Sequence, residues 1–134
     1  MIIRKKLSEL SDDDKDKINQ LLLSSFTKSR LDTYDEVIYY IRNENIIGFV
    51  GIQLDSKKLT VNQLCVHANY KNNGIGSMLL KYIENNFQST LILYIDKNKE
   101  NTEELYKFYI QRGYEENKID NQNNIEEYVM INYR

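Results

Sequence analysis

The chain has no proline, one cysteine, one histidine and five glycines in 134 residues, and each shortage closes off a class of explanation. A lone cysteine, Cys65, forms no internal disulfide and no cysteine-based zinc cluster. Such a chain suits a reducing compartment, so a cytoplasmic location is expected. The missing proline, set beside abundant Asn, Ile, Lys and Tyr, reads as genome base composition. Long apolar runs are absent too. Ile46–Ile52 and Leu91–Ile95 are far too short to cross a bilayer, and Arg4, Lys5 and Lys6 are followed by polar residues and no secretory core. Charge of one sign is equally scarce. With 18 basic and 20 acidic residues the net charge is −2, which draws in neither nucleic acid nor anionic lipid. No metal is expected: Asp12–Asp14 are explained by helix capping, and no further ligands are spaced around them.

What is present is ordinary globular material. Hydrophobic residues at 41% and charged residues at 28% argue against disorder. The length suits a single domain over residues 1–134 with a real core. Ile2–Lys6 reads as a strand. Ser11 and Asp14 form an S-x-x-D cap, and Ile18, Leu21, Leu22 and Phe26 recur at helical spacing, so a helix is expected over Asp12–Phe26. Thr27–Asp35 is polar and irregular, a loop or a short helix. Glu36–Arg42, Ile46–Leu54 and Leu59–Val66 then form an antiparallel meander joined at Asn43–Asn45 and Asp55–Lys58. From Ile75 the period turns helical, with Ile75, Met78, Leu79, Tyr82, Ile83 and Phe87 on one face. Leu91–Ile95 is continuously apolar, as in a strand covered on both faces. Leu105, Phe108 and Tyr109 mark a last helix ending at Gly113. Tyr114–Lys118 and Glu127–Tyr133 suggest a closing hairpin around Asp120–Asn124. The order β-α-(α)-β-β-β-α-β-α-β-β fits one mixed sheet with helices on both faces.

The segment Val66 to Ser77 joins a strand directly to an amphipathic helix. That arrangement aims unpaired backbone N–H groups and the positive end of a helix dipole at one point. Gly74 and Gly76 let the backbone come close to a phosphate, and Lys71 adds a mobile cation. A pyrophosphate site is therefore expected. The Walker pattern fails because Gly76 is followed by Ser77 and Met78. The dinucleotide fingerprint fails because Leu79 stands where a third glycine belongs.

Lys71-Asn72-Asn73-Gly74-Ile75-Gly76, with Leu64 and Val66 before it and Leu79-Leu80 after it, resembles the Arg/Gln-x-x-Gly-x-Gly/Ala loop of the GNAT N-acetyltransferase superfamily. Phe108-Tyr109-Ile110-Gln111-Arg112-Gly113-Tyr114 resembles that family's aromatic-Tyr-x-x-x-Gly-Phe/Tyr segment, and Tyr128–Ile131 resembles its final strand. The resemblance covers most of the chain. Its departures are Lys71 in place of Arg or Gln, which keeps the charge but loses the planar fork, and Thr102 where the family often has Asn, with Asn101 one residue early.

The resemblance implies a GNAT-like α/β fold, a mixed and mostly antiparallel sheet of about seven strands, acting on acetyl-CoA and a primary amine. It places Leu64, Cys65 and Val66 beside the pantetheine arm, their backbone pairing as an added strand, and Lys71, Asn72, Asn73, Gly74, Ile75, Gly76 and Ser77 around the diphosphate. Asn101 or Thr102 would also contact CoA. A backbone N–H near Val66 would stabilise the oxyanion, and Tyr109 would give the leaving thiolate its proton. Its phenol, with an ordinary pKa of about 10, is protonated at neutral pH. The competing reading of Tyr109 is core packing, with Tyr106 as fallback. The Leu59–Val66 strand lacks the carboxylate that some family members place there. Asp32, Asp35 and Glu36 fall on the expected acceptor side, where ordinary solvated acids are the simpler reading. Tyr34, Tyr39 and Tyr40 are candidates to line the acceptor pocket, at least one of them serving only to pack the sheet. His67 tempts as a base but stands where the chain leaves a strand, and Cys65 has no basic partner; both read as structural. The alternatives are a CoA-binding sensor or scaffold without catalysis, transfer of a longer acyl group, or transfer to a hydroxyl. The acceptor is a small-molecule or protein amine, and the chain is a monomer or homodimer.

Overall fold

The computed structural model describes residues 1–118 and 126–134. These form β1 (Ile2–Lys6), α1 (Asp12–Ser25), β2 (Glu36–Arg42), β3 (Asn45–Leu54), β4 (Lys58–Val66), α2 (Ile75–Asn86), β5 (Thr90–Asp96), α3 (Thr102–Gln111), β6 (Glu115–Glu116) and β7 (Glu127–Asn132). The fold is mixed α/β, and the sheet order is β1-β2-β3-β4-β5-β7-β6. The chain divides into two compact units, Met1–Leu54 with Val61–Phe87 and Asp55–Thr60 with Gln88–Arg134, so β4 is shared between them.

In the first unit β1, β2 and β3 run antiparallel, with Tyr39 opposite Ile3 and Phe49. Asn43 and Glu44 both take positive φ, 50° and 66°, the backbone of a tight two-residue hairpin that matches strand twist. Strand β3 therefore starts at Asn45, inside the expected turn. Alternation then sorts the side chains. Val37, Tyr39, Phe49 and Cys65 join Ile18, Leu21 and Leu22 of α1 in one buried cluster. On the opposite face a Cβ at Gly48 would meet Ile75 and Leu79 of α2. Helices thus cover both faces of this unit. Helix α1 starts where Ser11 Oγ accepts the Asp14 N–H at 3.1 Å, the expected cap, with Asp12, Asp13 and Asp14 at the positive end of its dipole.

Gly51 is required by packing. A Cβ there would fall inside van der Waals contact with the Tyr34 ring, 2.6 Å from its Cγ. Tyr34 is only 3% exposed and packs against Phe49 with ring centroids 6.0 Å apart, so it has nowhere to retreat. Gly51→Ala is expected to cost about 2–3 kcal/mol as an overpacked core substitution. The urea unfolding midpoint measures it; an unchanged midpoint would show that the ring is free to move.

The second unit pairs β5 with β7 and β7 with β6, both antiparallel. Leu91, Leu93 and Ile95 are buried while Tyr94 is 44% exposed, so β5 does not have the two covered faces that its apolar run suggests. Hydropathy ranks a tyrosine as apolar although its hydroxyl tolerates water. Met78 of α2 is likewise exposed, and Leu80 is buried in its stead. Strand β6 has two residues where Tyr114–Lys118 was expected; the buried Tyr114 gives its N–H to Tyr109 O at the end of α3 and not to a strand. The turn expected around Asp120–Asn124 lies outside the described residues.

Candidate functional site

Strand β4 ends in a series of local hydrogen bonds that set up the loop after it. The His67 N–H donates to Ile47 O at 2.7 Å, and the Tyr70 N–H returns to His67 O at 2.9 Å. His67 Nδ1 accepts the Asn69 N–H at 3.1 Å, so the ring caps the 3₁₀ turn Ala68–Tyr70. That is the structural role expected of it. The chain then passes an extended Lys71, a left-handed Asn72 at φ 68° and a left-handed Gly74 at φ 77°. Asn accepts that conformation more readily than most residues, and Gly accepts it without strain.

Helix α2 begins at Ile75, and the Met78 N–H is the donor that reaches back to Gly74 O, at 2.9 Å. The N–H groups of Ile75, Gly76 and Ser77 precede this first intrahelical donor and point out of the helix mouth with the positive end of its dipole. A Cβ on Gly74 would meet nothing within 4 Å, and one on Gly76 would meet only Val66 Cγ2 at 3.7 Å, so the ground above both glycines is open. Lys71 to Gly74 are exposed. The Ile75 side chain points the other way, 5% exposed in the core, leaving only its backbone for a ligand. Donors, open space and a neighbouring cation fit the diphosphate of CoA.

Before the loop, Leu64 and Val66 are half-buried and Cys65 is 7% exposed. Burial pushes the Cys65 thiol up to about 12, against a smaller opposite pull from Lys71. A thiol that remains protonated is no nucleophile. Gln63 takes a positive φ of 51° inside the strand, a backbone state that costs a non-glycine residue about 1 kcal/mol or more. Its side chain explains why the state persists. Gln63 Oε1 accepts the Tyr34 hydroxyl at 2.6 Å and the Arg30 N–H at 3.0 Å, while its Nε2 donates to Lys28 O at 2.9 Å. Burial raises the Tyr34 phenol above its ordinary range, so it remains a donor. Sequence reasoning missed Gln63, and the only trace of it was the pair of amides, Asn62 and Gln63, interrupting an apolar strand.

The acids considered on the acceptor side are largely occupied elsewhere. Asp35 Oδ2 accepts the Leu54 N–H at 2.7 Å. Glu36 pairs with Arg4 at 2.8 Å, whose guanidinium lies 4.3 Å from the Phe87 ring centre. Asp32 sits exposed on the 3₁₀ turn Leu31–Thr33. Tyr34 and Tyr39 are core residues and Tyr40 is half-buried. An open cleft of about 540 Å³ lies between α1, the start of β3 and His67–Tyr70, lined among others by Lys17, Gln20, Leu21, Asn45, Ile46 and His67.

In the second unit the Thr102 hydroxyl faces Asp96 O at 2.6 Å and Lys99 O at 2.7 Å, so it ties the end of β5 to the start of α3. Asn101 beside it is exposed and makes no capping bond, and Glu103 and Glu104 of the first turn are exposed too. Helix α3 closes as expected. Gly113 takes φ 92°, and the Arg112 and Tyr114 N–H groups both donate to Tyr109 O, at 3.1 and 3.0 Å. The Tyr109 ring is 7% exposed and makes edge contacts with Phe108 and Tyr114 at 5.2 and 5.4 Å. Tyr106 is committed differently, donating its hydroxyl to Glu116 Oε2 at 2.7 Å. That bond, with lesser burial, raises its pKa. Among the described residues no cluster of metal-binding side chains occurs, and no helix is long and apolar enough to cross a membrane.

Comparison with known proteins bears on this geometry. A model of the acetyltransferase (GNAT) domain matches residues 34–116. No curated protein matches the chain. Among solved structures, an aminoglycoside 6′-N-acetyltransferase complexed with coenzyme A is 17% identical, with 96% of this chain and 95% of that one covered at a TM-score of 0.75. The PaiA N-acetyltransferase of Thermoplasma acidophilum, also with coenzyme A, is 13% identical, covering 100% and 99% at 0.71. The ribosomal-protein-S18-alanine N-acetyltransferase of Escherichia coli is 14% identical, covering 98% and 92% at 0.71. At such identities the structures speak for the fold, while the matched domain spans more than half of the sequence. The matched span takes in β4, the open helix mouth and α2, and the chain belongs to the GNAT acetyltransferase family.

Proposed function

We propose that the protein transfers an acetyl group from acetyl-CoA to a primary amine by direct attack. The observation that carries this reading is the mouth of α2, where backbone donors, two glycines and Lys71 surround open space. Lys71 to Ser77 hold the diphosphate, and the backbone of Leu64 to Val66 pairs with the amides of the pantetheine arm. The exposed Asn101 amide, more than the inward Thr102 hydroxyl, serves the CoA side of α3. The neutral amine attacks the thioester carbonyl carbon as a β4 backbone N–H near Val66 stabilises the oxygen. The C–S bond breaks, and Tyr109 donates its phenolic proton to the sulfur. Passing a proton from a phenol to a thiolate is uphill by about 2 kcal/mol on ordinary pKa values. The proton released by the attacking nitrogen restores the phenol through solvent. The acceptors named for two structural neighbours, an aminoglycoside and an alanine of ribosomal protein S18, both fit this chemistry.

The test is free-thiol release from acetyl-CoA in the presence of spermidine, a peptide α-amine and kanamycin, with CoA binding followed by calorimetry. Binding together with amine-dependent thiol release is expected. Tight CoA binding with no release by any amine would leave a sensor or scaffold, and no binding would end the proposal.

A further inference from the structure

Gln63 ties β4 to the polar segment before β2, and its three hydrogen bonds join Lys28, Arg30 and Tyr34 to a single amide. Each end of that connection is built for the purpose. On the strand side, the positive φ of Gln63 breaks the extended conformation of β4 one residue before Leu64–Val66, and so re-aims the peptide groups that follow it. On the segment side, Leu31 and Tyr34 are buried in the same cluster as Cys65, so the segment is seated on the strand by apolar contact as well. Thr33 Oγ1 and the Thr33 N–H both donate to Arg30 O, at 2.7 and 2.9 Å. Ser29 Oγ donates to Asn19 Oδ1 of α1 at 2.6 Å. The segment is therefore internally ordered, and Gln63 links it to β4 directly.

We propose that Gln63 is a positioning residue for the amine: it holds residues 28–34 against the irregularity in β4 and so fixes the wall past which the amine reaches the thioester. This rests on the acyl-transfer reading, which places the thioester along Leu64–Val66. An amine approaching that stretch within the first unit meets the segment tied one residue upstream. The charge pattern agrees, because the link is made by a neutral amide and a phenol held protonated by burial. Its geometry therefore persists across the pH range in which an amine is neutral enough to attack.

Two substitutions separate the side chain from the backbone irregularity. Gln63→Gly keeps a residue at ease with positive φ and removes all three bonds. Gln63→Glu retains an oxygen to accept from Tyr34 and Arg30 but replaces the donor to Lys28 O with a second oxygen. The KM of whichever amine among spermidine, a peptide α-amine and kanamycin turns over fastest, CoA affinity by calorimetry and hydrogen exchange over residues 27–35 are read on each. For Gln63→Gly we expect amine KM and segment exchange each to rise ~10-fold, as for loss of a small hydrogen-bond network. CoA affinity should stay within ~2-fold of wild type, and Gln63→Glu should recover most of the amine KM. Unchanged amine KM in Gln63→Gly would overturn the inference, as would CoA affinity falling in parallel with it, since that pattern marks a general structural role. Silence of the wild type with every amine would instead remove the acyl-transfer reading, and this inference with it.

Discussion

Tyr109→Phe is expected to lower kcat about 10²-fold or more, the scale of a lost general acid, while CoA affinity stays within about 2-fold of wild type. The expectation comes from how the ring is held. Tyr109 is nearly buried and wedged edge-on between Phe108 and Tyr114, and its carbonyl takes the two N–H groups that end α3. Phenylalanine preserves every one of those ring and backbone contacts. The substitution therefore removes an oxygen and leaves the fold, with a stability change expected within about 1 kcal/mol. Steady-state thiol release and a thermal melt on the same preparation decide it. If kcat is kept, Tyr109 is a packing residue and the proton comes from elsewhere. Tyr106 is a poor substitute, because its hydroxyl already donates to Glu116.

Gly76→Asp separates binding from stability with opposite signs. Position 76 is the second residue of α2, where a carboxylate interacts well with the helix dipole and any side chain improves on glycine's helix propensity. A Cβ there meets only Val66 Cγ2, at 3.7 Å, an ordinary contact. The melting temperature should hold or rise. CoA affinity, in contrast, is expected to fall about 100-fold, some 2.7 kcal/mol, because the new carboxylate takes the exposed N–H groups and repels a diphosphate. Gly76→Ala is the control and should bind within about 3-fold of wild type, its methyl adding neither charge nor clash. Calorimetry with CoA reads both variants. Wild-type affinity in Gly76→Asp would move the diphosphate away from the mouth of α2.

The outcome for particular residues shows what a sequence carries. Local chemistry came through almost unaltered. Ser11 caps α1, Gly113 ends α3 in a left-handed turn and Gly74 opens α2 in another, because each depends on the backbone within a few residues of itself. The strands β1 and β2 fall where alternation and β-branching put them. Periodicity misled where a side chain has two natures. Tyr94 and Met78 count as apolar but stand in solvent, and β6 starts only at Glu115 because the Tyr114 N–H is used in closing α3.

The shape of the loop before α2 was legible for the same local reason, since a strand, a glycine pair and an amphipathic helix in succession determine its geometry without help from distant residues. What distance governs was not legible. Nothing in the string Thr60 to Val66 says that Gln63 will leave the extended conformation, because the partners that stabilise it there lie about thirty positions earlier in the chain. Nor could the acids near residue 35 be assigned before Arg4 and the Leu54 amide were seen to engage them. The sequence by itself determined the element order, the caps and the open helix mouth; tertiary structure alone decided which polar side chains are committed to holding the fold. The first are set by neighbours joined by a few peptide bonds, and the second by neighbours that only folding brings together.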